Sequence, residues 1–404
     1  MSESIYGNTT EDHIRWNAKY GVNNYKPLNV VIKKGKGVWV WDIEGNKYLD
    51  FLSAYSCQNT GYSHPKIVKA VVDQVKKCGN VSRAFLHEQQ GLFMKELAVL
   101  CGKDCVLPMN TGAEAVETAI KAARKWGLKT KGITEPEIIV FANNFHGRTT
   151  TIVGFSTEEH YREGFGPFAP GFKIVPYGED DALHDAINKN TVAILFEPIQ
   201  GEAGIIIPPE GFLRNIRRLC TKKNILMIAD EIQTGLGRTG KLFACDYERV
   251  VPDLYIIGKA LGGGLIPVSA VVGNRNILDV FDPGSHGSTF GGYSLGCAAG
   301  RAALQVIVEE ELCEKSAEMG EYFMAKLREI KSPFVKEIRG RGLMIGLELN
   351  TKARPFCEAL MKEGLLCKET HDMVIRFAPP LVITKKQIDW AVKRIKKVLE
   401  VQPA

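Results

Sequence analysis

Residues 224–231 read NILMIADE, and residues 253–260 read DLYIIGKA. Both are short apolar runs closed by charge, at Asp230 in the first and Lys259 in the second. Three more runs of the same kind accompany them: EIIVFA at 137–142, TVAILFEP at 191–198 and VSAVVG at 268–273. A strand with one wet face alternates apolar and polar residues, whereas a strand that is apolar throughout is covered on both faces. Stretches of helical length separate the runs. The pattern therefore predicts an α/β fold with a mostly parallel central sheet and helices on both sides.

Working outward, residues 37–54 (GVWVWDIEGNKYLDFLSA) predict two short strands around a turn at 43–46. After Pro65, the residues Ile67, Val68, Val71, Val72 and Val75 fall on one face of a helix. Past Gly291 the texture changes to two long helices, at about 294–310 and 313–331, followed by strand-like RGLMIGLEL and MVIRFAPPLVI. The expected organisation is a large domain at 51–290, a smaller α+β domain at 291–404, and an N-terminal segment, 1–50, that packs with the small domain.

Composition narrows the function. The chain has 404 residues, with 52 Lys and Arg against 46 Asp and Glu, which leaves a charge of only +6. Apolar residues make up 45% and charged residues 24%, enough burial to offset chain entropy, so a disordered chain is excluded. No apolar run approaches the roughly 20 residues of a membrane span. The densest basic runs, Lys33, Lys34 and Lys36, and Lys393, Arg394, Lys396 and Lys397, are too short for a nucleic-acid face. Ten cysteines without a CxxC pair read as reduced thiols that pack as small hydrophobes. The opening residues carry neither a signal peptide nor an Arg-rich presequence, so the expected compartment is the cytoplasm, or the mitochondrial matrix if a presequence was removed.

Ligands of such sheets gather at the carboxyl ends of the strands. There, Asp230 and Lys259 form the pair that pyridoxal 5'-phosphate chemistry needs: a Schiff-base lysine, and a carboxylate that keeps the pyridine nitrogen protonated. Each residue alone is equally what a strand cap or a surface lysine leaves in a sequence. The segment NTGAEAVETAIKAARKWG begins at Asn110, and its Thr111 and Glu114 make a capping box. Gly112 and Ala113 leave the first helical turn bare, so its N–H groups can meet a phosphate. A second phosphate contact is available from Ser288 and Thr289 in HGSTFGG (286–292). Phe145, in NNFHGRTT (143–150), is the candidate to cover a ring face, with His146 second. Arg148 and Arg376 are cations beside apolar segments, suited to a dicarboxylate such as 2-oxoglutarate. GLGRTG (235–240) spells GxGxxG, yet five residues separate it from its strand, so a dinucleotide loop and an NAD-dependent dehydrogenase are disfavoured.

Taken in order, NTGAEA, FHGRT, EPIQGEAG, ADEIQTGLGRTG, GKALGGG and GSTFGG resemble the fold-type I, class III aminotransferases. NNYKPLNVV, DFLSAYSCQNTG and VIRFAPPLVIT extend the resemblance over nearly the whole chain, most closely to members that act on L-ornithine. The resemblance implies a homodimeric, metal-free enzyme with pyridoxal phosphate at Lys259 and Asp230 paired with the ring nitrogen. It further implies Gln233 at the ring hydroxyl, Phe145 on the ring, Gly112 and Ala113 at the phosphate, and Thr289 contributed across the dimer. Arg376 and Arg148 would hold the two carboxylates of L-glutamate or 2-oxoglutarate. Glu202 would cover Arg376 while Tyr25 and Tyr55 orient ornithine. Acetylornithine and 4-aminobutyrate aminotransferases remain the alternatives, since FHGRT also occurs in acetylornithine enzymes.

Overall fold

The apolar runs are strands because each is buried on two sides. In the structure, a computed structural model that describes residues 9–401, Ile138 and Val140 face one helical layer while Ile139 and Phe141 face the other. Residues 1–8, on which part of the leader reading rests, lie outside the described range. Three strands come first, β1 (Ile32–Lys36), β2 (Trp39–Asp42) and β3 (Lys47–Asp50). The central sheet uses β4 (Cys105–Met109), β5 (Glu137–Phe141), β6 (Phe172–Val175), β7 (Thr191–Phe196), β8 (Leu226–Asp230), β9 (Leu254–Ile257) and β10 (Ser269–Gly273). The last strands are β11 (Val335–Arg341), β12 (Met344–Leu349), β13 (Leu365–Leu366), β14 (Lys368–Thr370) and β15 (Val374–Phe377).

The central order is β4-β10-β9-β8-β7-β5-β6. Only β10 runs against its neighbours, and it does so on both sides, against β4 and β9. The two reversals cancel, so β4 ends on the same edge as β9, β8, β7 and β5. That edge is where the site forms. The helix Gly112–Lys131 leaves β4 through the Thr111–Glu114 capping box and stops at Gly132, whose φ of +67° a side chain would oppose.

The remaining strands make two four-stranded sheets, β1-β2-β3-β13 and β11-β12-β15-β14. The first joins the two ends of the chain, through a parallel pairing of β3 with β13. The helix Pro65–Lys77 differs from expectation. It buries Ile67 and Gln74 against the helix Ser294–Glu309, while Val72 and Val75 are 43% and 58% exposed. The Gln74 amide is satisfied by the Cys78 carbonyl (2.9 Å), which lets a polar residue occupy the buried stripe. PPLVI, read as strand, is instead a buried loop after β15.

The GLGRTG loop packs on the hairpin between β11 and β12, and glycines make the contact possible. A side chain at Gly342 would run into the Thr239 and Gly240 backbone, and one at Gly320 into the Gly342 carbonyl. Gly320 lies inside the helix Leu312–Arg328, where alanine would otherwise be preferred by about 1 kcal/mol. Overlap with fixed backbone outweighs that gain, at about 1–3 kcal/mol or more. Gly320→Ala is expected to lower the calorimetric unfolding midpoint by several degrees; an unchanged or raised midpoint would show the two backbones free to separate.

Candidate active site

Where β8 ends, Asp230 is only 5% exposed, and it keeps two partners. The Ile232 N–H donates to its Oδ1 (3.1 Å), and His146 Nδ1 lies 2.6 Å from its Oδ2. Lys259 follows β9 with φ +44°, a left-handed backbone that turns the chain sharply at the strand end. It lines the same cavity as Asp230, about 220 Å³ in volume, together with Gly112, Ala113, Phe145, Glu202 and Gln233. Among the described residues its ammonium has no hydrogen bond or ion pair, unlike the charged groups that surround it.

Three loops shape the walls. The Phe145 N–H donates to Glu197 Oε2 (3.0 Å) and the Gly201 N–H to Glu197 Oε1 (3.3 Å), so one buried carboxylate ties the loop after β5 to the loop after β7. Burial pushes the Glu197 carboxyl up to about 7, against the pull of His146. Gln233 Nε2 donates to Glu202 Oε1 (3.2 Å), while its own Oε1 is buried without a partner. It fits there because residue 201 is glycine; a Cβ at that position would collide with the amide.

Arg376, on β15, is 2% exposed and pairs with both oxygens of Glu202 at 2.7 Å. Burial alone would raise the Glu202 carboxyl, but the charge and hydrogen bonds of Arg376, with Lys259 adding, hold it at about 2. A carboxyl depressed below its usual 4.5 contributes stability that is complete above that value and lost only as the pH falls through about 2. The pair stays ionised throughout the neutral range. Tyr55 stands over Arg376, its ring centre 5.2 Å from the guanidinium carbon.

Several expected residues lie outside the cavity wall. Arg148 is exposed and stacks on Tyr161 at 3.6 Å, with Phe145 at 5.4 Å. Tyr25 is 76% exposed. Ser288 joins Asn110 (2.9 Å) and Glu114 (3.2 Å) behind the capping box, and Thr289 is exposed, its carbonyl accepting from Asn80 (3.2 Å). Two site residues were missed or misread. His146 grips Asp230 instead of covering a ring, and Glu197 had no assigned part. Glu197 closes TVAILFEP as Asp230 closes NILMIADE, so the same strand-end rule would have found it.

Comparisons with known proteins place the chain in a family. The family model described as "Aminotransferase class-III" matches residues 20–399. The chain belongs to the class-III aminotransferases. An ornithine aminotransferase from Geobacillus sp. (strain WCH70) is 62% identical over 391 residues, covering 96% of this chain and 98% of that protein. The solved ornithine aminotransferase of Toxoplasma gondii, described with partial occupancy of PLP at its active site, superposes with a TM-score of 0.96 at 42% identity, over 97% of this chain and 94% of that one. An acetylornithine aminotransferase from Elizabethkingia anophelis superposes at 0.88 with 46% identity, over 98% and 99% of the two chains.

His146 is fully buried, and its Nε2 has no partner. Burial disfavours its charge, but the bond to Asp230 and that carboxylate's field prevail and lift it above its usual 6.5. A base lifted in the folded state contributes stability that is complete below 6.5 and lost as the pH rises through the lifted value. Removing one member of a buried pair costs about 3–5 kcal/mol. His146→Phe is therefore expected to lower the unfolding midpoint most below pH 6.5, with the gap to the parent narrowing as the pH rises. A gap independent of pH would mean that the imidazole is not charged there.

Proposed function

We propose that the chain is an ornithine δ-aminotransferase. It moves the δ-amino group of L-ornithine to 2-oxoglutarate by ping-pong kinetics, giving L-glutamate and glutamate-5-semialdehyde, which closes to pyrroline-5-carboxylate. The observation that carries the reading is the covered arginine: Glu202, in the wall of the cavity that Lys259 also lines, neutralises the Arg376 behind it.

The cavity fits pyridoxal 5'-phosphate. Lys259 offers an amino group that no described residue engages, and Asp230, braced by His146, offers a carboxylate to a ring nitrogen. The orphaned Gln233 Oε1 can accept from a ring hydroxyl. Gly112 and Ala113 present N–H groups of the first helical turn, which have no acceptor within the helix, to a phosphate. Phe145 lies in the cavity wall, which supports its covering a flat ring. When bound, the cofactor supplies a carbonyl that takes up the amino group and a protonated ring that withdraws electrons.

The chain's own residues then divide the work. Lys259 Nζ takes the proton from Cδ of ornithine in one half-reaction and returns one to Cα of glutamate in the other. Asp230 would hold positive charge at the ring nitrogen, and His146 keeps that carboxylate aimed. The paired Arg376 and Glu202 present no net charge, which suits the zwitterionic end of ornithine beside Tyr55 and Tyr25. For glutamate, Glu202 withdraws, and Arg376 takes the α-carboxylate while Arg148 takes the distal one.

Thr289 lies outside its own cavity and is exposed, which supports its donation to a second copy and hence a dimer. The parallel pairing of β3 with β13 supports grouping residues 1–50 with the small domain, 291–404, against a large domain at 51–290. All ten cysteines are free, which supports a reducing compartment, the cytoplasm.

An acetylornithine aminotransferase is the second reading, favoured by the Elizabethkingia structure. N-Acetylornithine keeps its δ-ammonium, but its α-nitrogen is a neutral amide, so that end presents an uncompensated carboxylate, for which a covered arginine is a poor partner. Single half-reactions with ornithine, N-acetylornithine and 4-aminobutyrate decide the matter. Ornithine is expected to react fastest, and a clear preference for N-acetylornithine would overturn the assignment. Glu202→Gln should raise the KM for ornithine by about ten-fold and improve N-acetylornithine, with glutamate little changed. Equal losses for ornithine and glutamate would contradict the covering role.

A further inference from the structure

Between β3 and the helix Pro65–Lys77, the chain does something costly that the reaction as described leaves unexplained. Ser53, Ala54, Tyr55 and Ser56 have φ values of +52°, +46°, +57° and +74°, and ψ is +49° at Ala54 and +46° at Tyr55. This is a turn of left-handed helix built without glycine. Left-handed backbone presses each Cβ toward the following carbonyl oxygen, and non-glycine residues adopt it singly, not in runs. Such strain survives only where the surroundings over-determine it.

The surroundings here are specific. At the front of the turn, the buried Asp50 carboxylate accepts from the Leu52 N–H (2.8 Å) and the Ser53 N–H (3.0 Å), and from the Tyr62 hydroxyl (2.8 Å). Behind it, the Gln58 N–H closes back onto the Ser53 carbonyl (3.0 Å). The fully buried Asn59 then donates to the Leu236 carbonyl (2.9 Å) and accepts from Arg238 (2.6 Å). Ser53 and Ser56 are buried and Ala54 is exposed, which leaves Tyr55 as the side chain set over Arg376. Other strained non-glycine residues stand in the neighbouring loops, with Asn143, Ile205, Leu236 and Lys259 all at positive φ.

We propose that Asp50 is a positioning residue for ornithine: it clamps the left-handed turn at 53–56, in which Ala54 is strained, and the turn presets Tyr55 against the Arg376–Glu202 pair before substrate arrives. Without the clamp, residue 54 relaxes toward right-handed backbone and Tyr55 swings off the arginine. Glycine at 54 adopts the left-handed form without that strain, because it has no Cβ, so the turn depends less on the clamp.

The inference rests on the ornithine reading, so the parent holoenzyme is tested first for ornithine over N-acetylornithine. Loss of that preference sinks the reading and the inference together. With the preference intact, Asp50→Asn is expected to raise the ornithine KM by about five-fold while the glutamate half-reaction changes less than about two-fold. Ala54→Gly added to Asp50→Asn is expected to restore the ornithine KM. A structural role alone would not be rescued by removing an exposed methyl group. Ala54→Gly by itself keeps the question answerable if Asp50→Asn folds poorly: its unfolding midpoint should rise by about 2 °C or more, with the ornithine KM unchanged. An unchanged ornithine KM in Asp50→Asn, a loss that glycine does not rescue, or a midpoint that does not rise would each overturn the proposal.

Discussion

A guanidinium with no exposed surface sits where the sheets of this protein meet. Arg238 donates to the Leu343 carbonyl (2.9 Å) at the start of β12, to the Pro379 carbonyl (2.6 Å) beyond β15, and to the Asn59 side chain (2.6 Å). Burial drives its pKa down to about 9, with Asp50 and Cys57 opposing. A cation taken out of water needs its donors engaged, and both terminal nitrogens of Arg238 are used, while its Nε is buried without a partner among the described residues. Its acceptors are neutral and come from segments far apart in sequence, so each segment is fixed relative to the GLGRTG loop. The strand carrying Arg376, the turn carrying Tyr55 and the loop that follows Gln233 are thereby fastened to one point.

The pocket is an exercise in charge balance. Asp230, Glu197 and Glu202 share the cavity wall with His146 and Lys259, and Arg376 stands behind Glu202. Each carboxylate is handled differently. Asp230 has an imidazole, Glu202 a guanidinium, and Glu197 backbone N–H groups with a carboxyl that burial lifts to about 7. Among the described residues, Lys259 is the one of these three cations without a bonded partner, which leaves its nitrogen unencumbered for bonding to a carbonyl.

Much of this was legible in the sequence, for identifiable reasons. The central sheet announced itself because strands buried on both faces are apolar without interruption, and the strand-end rule located Asp230 and Lys259. The capping box at Thr111 and Glu114 is local chemistry, readable in four residues. What escaped depends on distant partners. His146 was weighed as a ring cover because nothing nearby in sequence marks Asp230, 84 positions on, as its partner. The helix at 65–77 misled because Val72 and Val75 obey helical periodicity yet sit outside the buried stripe, which Gln74 occupies. GLGRTG was rightly refused as a nucleotide loop, but its structural part could not be seen until Leu343 and Pro379 were placed beside it.

The covered arginine has a further consequence for an enzyme at rest. Ordinary fluids around a protein carry chloride, acetate and other small anions at millimolar levels or above, and a bare guanidinium in a crevice would gather them. Here the vacancy is already filled by a tethered carboxylate at 2.7 Å, whose local concentration no dissolved salt can match. Background electrolytes are thus turned away, and the guanidinium opens only to a carboxylate able to displace its own built-in competitor.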